Sequence, residues 1–239
     1  MSPTSATSID PKLLARVRAL LAKAESTSFP EEAAAYTAKA QELMARNSID
    51  AALLERLGPA DASSVGGHEL VVDDPYASAK AVLLGRIAAA NHGSSVWNQA
   101  RRVATVFAFE VDAANIELLY TSLLVQATAS MTAAGPQVDA AGRVRTRSFR
   151  SSFLLSFAYR IGERLAEATQ AVTDEVAATQ GADLLPVLAS RDEAVREARD
   201  EAFPHLVRRS TTVRHPGGWF AGRLAADVAR LPGAALPPG

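Results

Sequence analysis

The sequence predicts a mainly α fold with a small antiparallel sheet (α+β), in which an N-terminal helical hairpin precedes a larger helical body. Three observations carry this. Apolar residues make up 48% of the 239 but aromatic residues only 6%, so alanine fills much of the difference. Alanine-rich, glycine-poor stretches favour helix over strand. Long segments repeat apolar residues at three- and four-residue spacing, whereas alternating runs are short.

The elements follow in order. Asp10 is a good N-cap and Pro11 suits a first helical position. Leu13, Leu14, Val17, Leu20, Leu21 and Ala24 then form one apolar stripe. The polar run Glu25–Ser28 breaks it. Ser28 with Glu31 makes a capping box, with Pro30 in the first turn of a second helix. Its inner face carries Ala33, Tyr36, Thr37, Ala40, Leu43 and Met44, and Asn47 suits its end. Asp50 caps a third, short helix with Leu53, Leu54 and Leu57, stopped by Gly58 and Pro59. Short connections favour antiparallel neighbours, so the first two helices should pair with the third folded across them.

The segment LLAKAESTSFPEEAAAYTAKAQELMARNSID resembles the domain of unknown function 2786, found in bacterial and phage proteins. Leu20, Leu21, Ala24, the helix start Phe29–Ala33 and the run Lys39–Met44 carry the resemblance. The segments VATVFAFEVDAANIELLYTSLL, SFRSSFLLSFAYRIGERL and GWFAGRLAAD resemble, more loosely, the region that often follows this domain. The resemblance brings no catalytic residues with it. Its phage relatives point towards nucleic-acid work.

Residues 1–9 read as a flexible tail, 10–57 as the hairpin module, 58–67 as a linker, 68–231 as an α+β body and 232–239 as a second tail. Within the body, His68–Val72 suits a short strand. Asp74 and Pro75 open a helix to about Ala90. Ser95–Asn98 and Val103–Glu110 suit a hairpin, and both faces of the second strand are apolar enough to be covered. Asp112 should cap a long helix over Ala113–Ala133, and Ser148 another from the end of a loop at Gly135–Arg147 to about Ala178. Leu184–Leu188 suits a strand. Ser190 with Glu193 is a second capping box for a helix to about Ala202. Gly217 and Gly218 precede a last helix, Trp219–Leu231.

Much chemistry is excluded. With no cysteine, disulfides, zinc-thiolate sites and thiol catalysis are out. The four histidines, His68, His92, His205 and His215, make no paired metal motif. His68, Glu69, Asp73 and Asp74 cluster, but carboxylates beside a helix start usually cap it. No phosphate loop, nucleophile elbow or dinucleotide fingerprint occurs. No cofactor, no metal and no catalytic residue are expected, although folding can assemble an acid/base site that one sequence hides. No apolar run is long enough to span a membrane, and no leader pattern opens the chain, so a cytoplasmic protein is the expectation.

Charge is uneven although the net is -1. Between Asp139 and Glu163 stand five arginines and no acid: Arg143, Arg145, Arg147, Arg150 and Arg160. The first three alternate in a loop that opens onto a helix start, with Ser148, Ser151 and Ser152 beside them. Guanidinium forks and free helix N–H groups both bind phosphate oxygens. Arg208, Arg209, Arg214 and Arg223 form a second run, and Asp174–Glu201 between them holds eight acids against three arginines. These stretches either neutralise one another within the fold, remain solvated faces, or form a phosphate-contacting surface through Arg143, Arg145, Arg147 and Arg150. The expected function is a non-catalytic binding or adaptor protein, with nucleic acid as the partner. The alternatives are a protein-interaction module acting through the N-terminal hairpin, and a hydrolytic enzyme. Phe149, Phe153 and Phe157, four apart, share one helix face and belong in the core.

Overall fold

A computed structural model describes residues 64–180, 184–207 and 211–229, and single positions between 13 and 46. From Gly66 onward the order is β1 (Gly66–Val71), α1 (Ala77–Ala90), β2 (Ser94–Asn98), β3 (Val103–Ala108), α2 (Glu110–Ala133), α3 (Thr146–Gln180), α4 (Leu184–Ala202) and α5 (Pro216–Val228). This is the mainly α architecture with a small antiparallel sheet that the composition predicts.

The sheet runs β1-β3-β2 with both pairings antiparallel. The β2–β3 hairpin forms where expected. In its turn the Asn98 side-chain oxygen accepts from the N–H groups of Ala100 and Arg101, both at 3.1 Å. β1 starts earlier than expected: Gly66 and Gly67, read as linker, pair with Ala108 and Phe107. The backbone ladder of β3 outweighs the weak strand preference of glycine. Central β3 is covered on both faces. Ala104, Val106 and Ala108 join the main core, while Phe107 and Phe109 pack with Val195 of α4. Phe203 closes that second layer, edge-on to Phe107 with ring centroids 5.8 Å apart.

Helix α1 begins after Tyr76 rather than at Asp74, and buries Leu83, Leu84 and Ile87. Helix α2 begins at Glu110, so Asp112 lies inside its first turn and is not the N-cap. Its carboxylate is fully buried and accepts from Arg191 of α4 at 2.9 Å. Helix α3 is about 52 Å long at 1.5 Å per residue. Its Phe149, Phe153 and Phe157 are buried, with neighbouring centroids 6.3 and 6.4 Å apart. It packs along α1 and α5.

Two expectations are corrected in α4. Leu184–Leu188 is helical, and Ser190 is an exposed mid-helix residue rather than a cap. A five-residue apolar run does not distinguish strand from helix by periodicity. Pro186 sits in the first turn, where its missing N–H costs little. Leu188 packs with Val172, Val176 and Ala177 of α3, which fixes the segment as helix. In α5 the glycines lie inside the helix: His215 caps it, its Nδ1 accepting from Gly218 N–H at 3.1 Å, and Pro216 follows.

The described N-terminal positions are helical. Val17, 2% exposed, belongs to the main core, and Leu13, Leu20 and Leu43 pack against it. Arg46 donates to Glu175 of α3 at 2.8 Å. The expected caps at Asp10, Ser28 and Glu31, the helix end at Asn47, the third helix from Asp50, both tails, and Arg208 and Arg209 lie outside the described residues. Among those described, no helix is long and apolar enough to cross a membrane.

Candidate functional site

The arginine loop between α2 and α3 is a small folded hairpin. Val138 and Val144 form a bridge, and Arg145 N–H donates to the Gln137 carbonyl at 2.8 Å. Gly142, with φ of 73°, turns the chain. Asp139 organises this turn. One carboxylate oxygen accepts from the N–H groups of Ala141 and Arg143, both at 3.0 Å. The other accepts from Arg143 Nε at 2.8 Å and Arg145 Nε at 3.0 Å. The Arg143 N–H, with the two guanidinium groups and the Ala141 N–H, holds the Asp139 carboxyl below its ordinary range.

The four predicted arginines therefore differ. Arg143 and Arg145 are exposed and share Asp139, each through Nε, so their terminal nitrogens are not used in these two bonds. Between residues 136 and 150 four guanidinium groups stand against one carboxylate, Arg143 and Arg145 in the loop and Arg147 and Arg150 at the start of α3, so this segment is cationic. Arg147 is exposed and makes no ion pair with a described residue. Arg150 is half-buried, and its Nε is buried without a hydrogen-bond partner among the described residues. The serines do other work. Ser148 donates to the Arg145 carbonyl at 2.9 Å. Ser152 is buried, accepting from the N–H groups of Arg214 and His215 at 3.1 and 3.0 Å. The pairing of Asp139 has a signal in the sequence: Asp followed three residues later by Gly favours a tight turn that brings the chain back.

Beside the loop lies an open groove of about 540 Å³, lined by Asp74, Pro75 and Tyr76 on one side and Val144, Thr146 and Arg147 on the other. Tyr76 takes a left-handed φ of 68°. Asp74 is paired with Arg102 at 2.6 Å, and Thr146 Oγ1 accepts from Gln137 N–H at 2.9 Å. Sequence reasoning missed this groove, because its two walls lie some seventy residues apart.

A second polar cluster joins the turn after α1 to α2 and α4. His92 Nδ1 lies 2.9 Å from Asp192, near the buried Asp112–Arg191 pair. The Asp192 hydrogen bond raises the His92 pKa, against the opposing effect of burial. The Arg191 guanidinium also lies 3.7 Å over the Phe109 ring. These contacts tie α4 to the start of α2. Each basic run gives up an arginine to a surface pair: Arg223 of the second bonds Glu163 at 3.1 Å, and Arg160 of the first bonds Asp227 at 2.5 Å. Among the described residues no group of three histidines or carboxylates is placed to hold a metal ion, and Glu69 of the His68 cluster is paired with Arg101.

No curated protein and no solved structure matches the chain. The model of the family described as protein of unknown function (DUF2786) matches residues 12–51. The segment that contributes Val17 to the core of this fold is therefore a DUF2786 domain.

Proposed function

We propose that the protein is a non-catalytic binding or adaptor protein that contacts a nucleic-acid backbone through Arg143, Arg145 and Arg147. The observation that carries this reading is the hairpin held by Asp139. One carboxylate orders two guanidinium groups without neutralising both, and Arg147 stands exposed beside them. Ordered, net cationic and solvent-facing arginines match what phosphate contact needs, and that contact is sequence-tolerant. Arg150 contributes less, being half-buried.

The test is retention of mixed-sequence DNA or RNA at low salt, measured by fluorescence anisotropy. Binding should weaken steeply with salt, the log–log slope falling by about 0.7 to 0.9 for each phosphate contact removed. Replacing Arg145 and Arg147 with glutamate should abolish binding. The melting temperature should change little, because exposed ion pairs contribute about 0–1 kcal/mol. Wild-type protein that retains neither DNA nor RNA at low salt would refute the reading.

One observation favours a protein partner instead. Phe220, Leu224 and Val228 form an exposed apolar stripe on α5, being 65%, 50% and 74% exposed. Binding through that stripe would be insensitive to salt, which separates the two readings.

A further inference from the structure

We infer that the groove beside the arginine loop takes one unpaired nucleotide of a single strand, with its base stacked on Tyr76 and its phosphate on Arg147. This rests on the backbone-contact reading above and narrows it to single-stranded nucleic acid.

The groove has the parts such a site needs. Its volume of about 540 Å³ lies within the ~300–1,000 Å³ of small-ligand sites. Pro75, Tyr76 and Val144 supply apolar lining; Tyr76 is half-buried and packs partly against the main core, and Val144 is 77% exposed. A flat base would cover this surface. Single-strand binders combine a cationic track with an aromatic ring that accepts any base face. Here Tyr76 is the ring and Arg147 continues the track from Arg143 and Arg145.

The remaining polar groups in the groove are engaged. Asp74 is paired with Arg102, and Thr146 is tied to Gln137. Arg147 is the charged side chain of this lining that has no ion pair with a described residue. The backbone at Tyr76 is a second sign. A non-glycine residue at φ 68° persists only where its surroundings hold it. The Tyr76 carbonyl accepts from Ala79 and Lys80 N–H at 2.9 and 3.1 Å, which fixes the residue at the head of α1. Left-handed residues of this kind gather at ligand clamps. A duplex keeps its base faces stacked and cannot offer one to a recessed ring, whereas a single strand can splay a base out.

The experiment compares a labelled mixed-sequence 15-nucleotide strand, as DNA and as RNA, with the same sequence as a duplex. The strand should bind more tightly. Tyr76→Asn removes the ring and tolerates the positive φ. It should weaken strand binding by roughly five- to 150-fold and leave duplex binding unchanged. Tyr76→Phe should retain the wild-type affinity. A 2-aminopurine in the strand should be quenched by wild type and by Tyr76→Phe but not by Tyr76→Asn. Equal affinity for DNA and RNA would assign the contact to base and phosphate; tighter RNA would add the 2′-hydroxyl. Duplex binding as tight as strand binding, or a Tyr76→Asn effect equal on both forms, overturns the inference and leaves the backbone reading standing. No retention of either form by wild type ends both.

Discussion

Replacing Asp112 with alanine leaves Arg191, 5% exposed, as a buried charge without its carboxylate. Removing one partner of a buried ion pair costs about 3–5 kcal/mol, far more than an exposed pair is worth. Chemical denaturation of Asp112→Ala should show that loss, and a loss under about 1 kcal/mol would mean that water reaches Arg191. His92, in the same cluster, sets a pH dependence. Its pKa is raised in the fold, chiefly by the Asp192 hydrogen bond; Asp112 acts in the same direction, while burial and Arg191 oppose. The folded protein thus holds the proton more tightly than the unfolded chain. The contribution is full below about pH 6.5 and is lost as pH rises through the folded value. Melting temperatures should therefore fall over that rise in wild type and stay flatter in Asp192→Asn. A sequence hides such pairs, because Asp112 and Arg191 are 79 residues apart and an acid near a helix start reads as a cap. Asp139 was read as the last acid before an arginine run; the Asp139–Gly142 spacing signals the turn that brings Arg143 and Arg145 back to it, but a turn signal does not name the side chains that will pair.

Helix α5 shows what element-scale packing demands. Gly218, Gly222 and Ala226 are its buried residues, four apart. A Cβ at Gly218 or Gly222 would overlap the carbonyl oxygens of Phe149 and Phe153 in α3. Two helix backbones in such close approach leave the large residues of α5 on the opposite side, where Phe220, Leu224 and Val228 are exposed. Gly222→Ala should therefore destabilise by about 1–3 kcal/mol in a thermal melt, although alanine is the better helix former. Phe220→Ser and Leu224→Ser should each stay within about 0.5 kcal/mol of wild type, as exposed substitutions do. The opposite order would place the buried face of α5 on its apolar stripe. The long helices α2 and α3 were legible in sequence from their length and from apolar residues recurring at three- and four-residue spacing, as was the β2–β3 hairpin with its short turn. The strand expected at Leu184–Leu188 failed because contacts with Val172 and Val176 of α3, not local pattern, decide its state. Gly217 and Gly218 read as lying before the last helix rather than inside it, because glycine marks both helix boundaries and close helix contacts.

At the scale of the whole molecule the question is how firmly the DUF2786 segment is joined to the body. Val17 belongs to the same buried cluster as Leu83, Ile116, Phe157 and Ala226, so four body helices, α1, α2, α3 and α5, and the N-terminal segment contribute to one core. Arg46 adds an exposed pair to Glu175, worth little by itself. Core sharing of this kind couples unfolding, because losing one surface exposes the other. Both tryptophans, Trp97 and Trp219, lie in the body, in β2 and α5. Tryptophan fluorescence therefore reports the body alone, while circular dichroism reports all helices. Val17→Asp places a carboxylate without a partner in that core, at a cost of roughly several kcal/mol. The melt followed by fluorescence should shift down together with the melt followed by circular dichroism, in one transition. A fluorescence melt unmoved by Val17→Asp, beside an earlier dichroism change, would mean that the segment unfolds from the body independently. The body would then be a separate cooperative unit with Val17 at its margin.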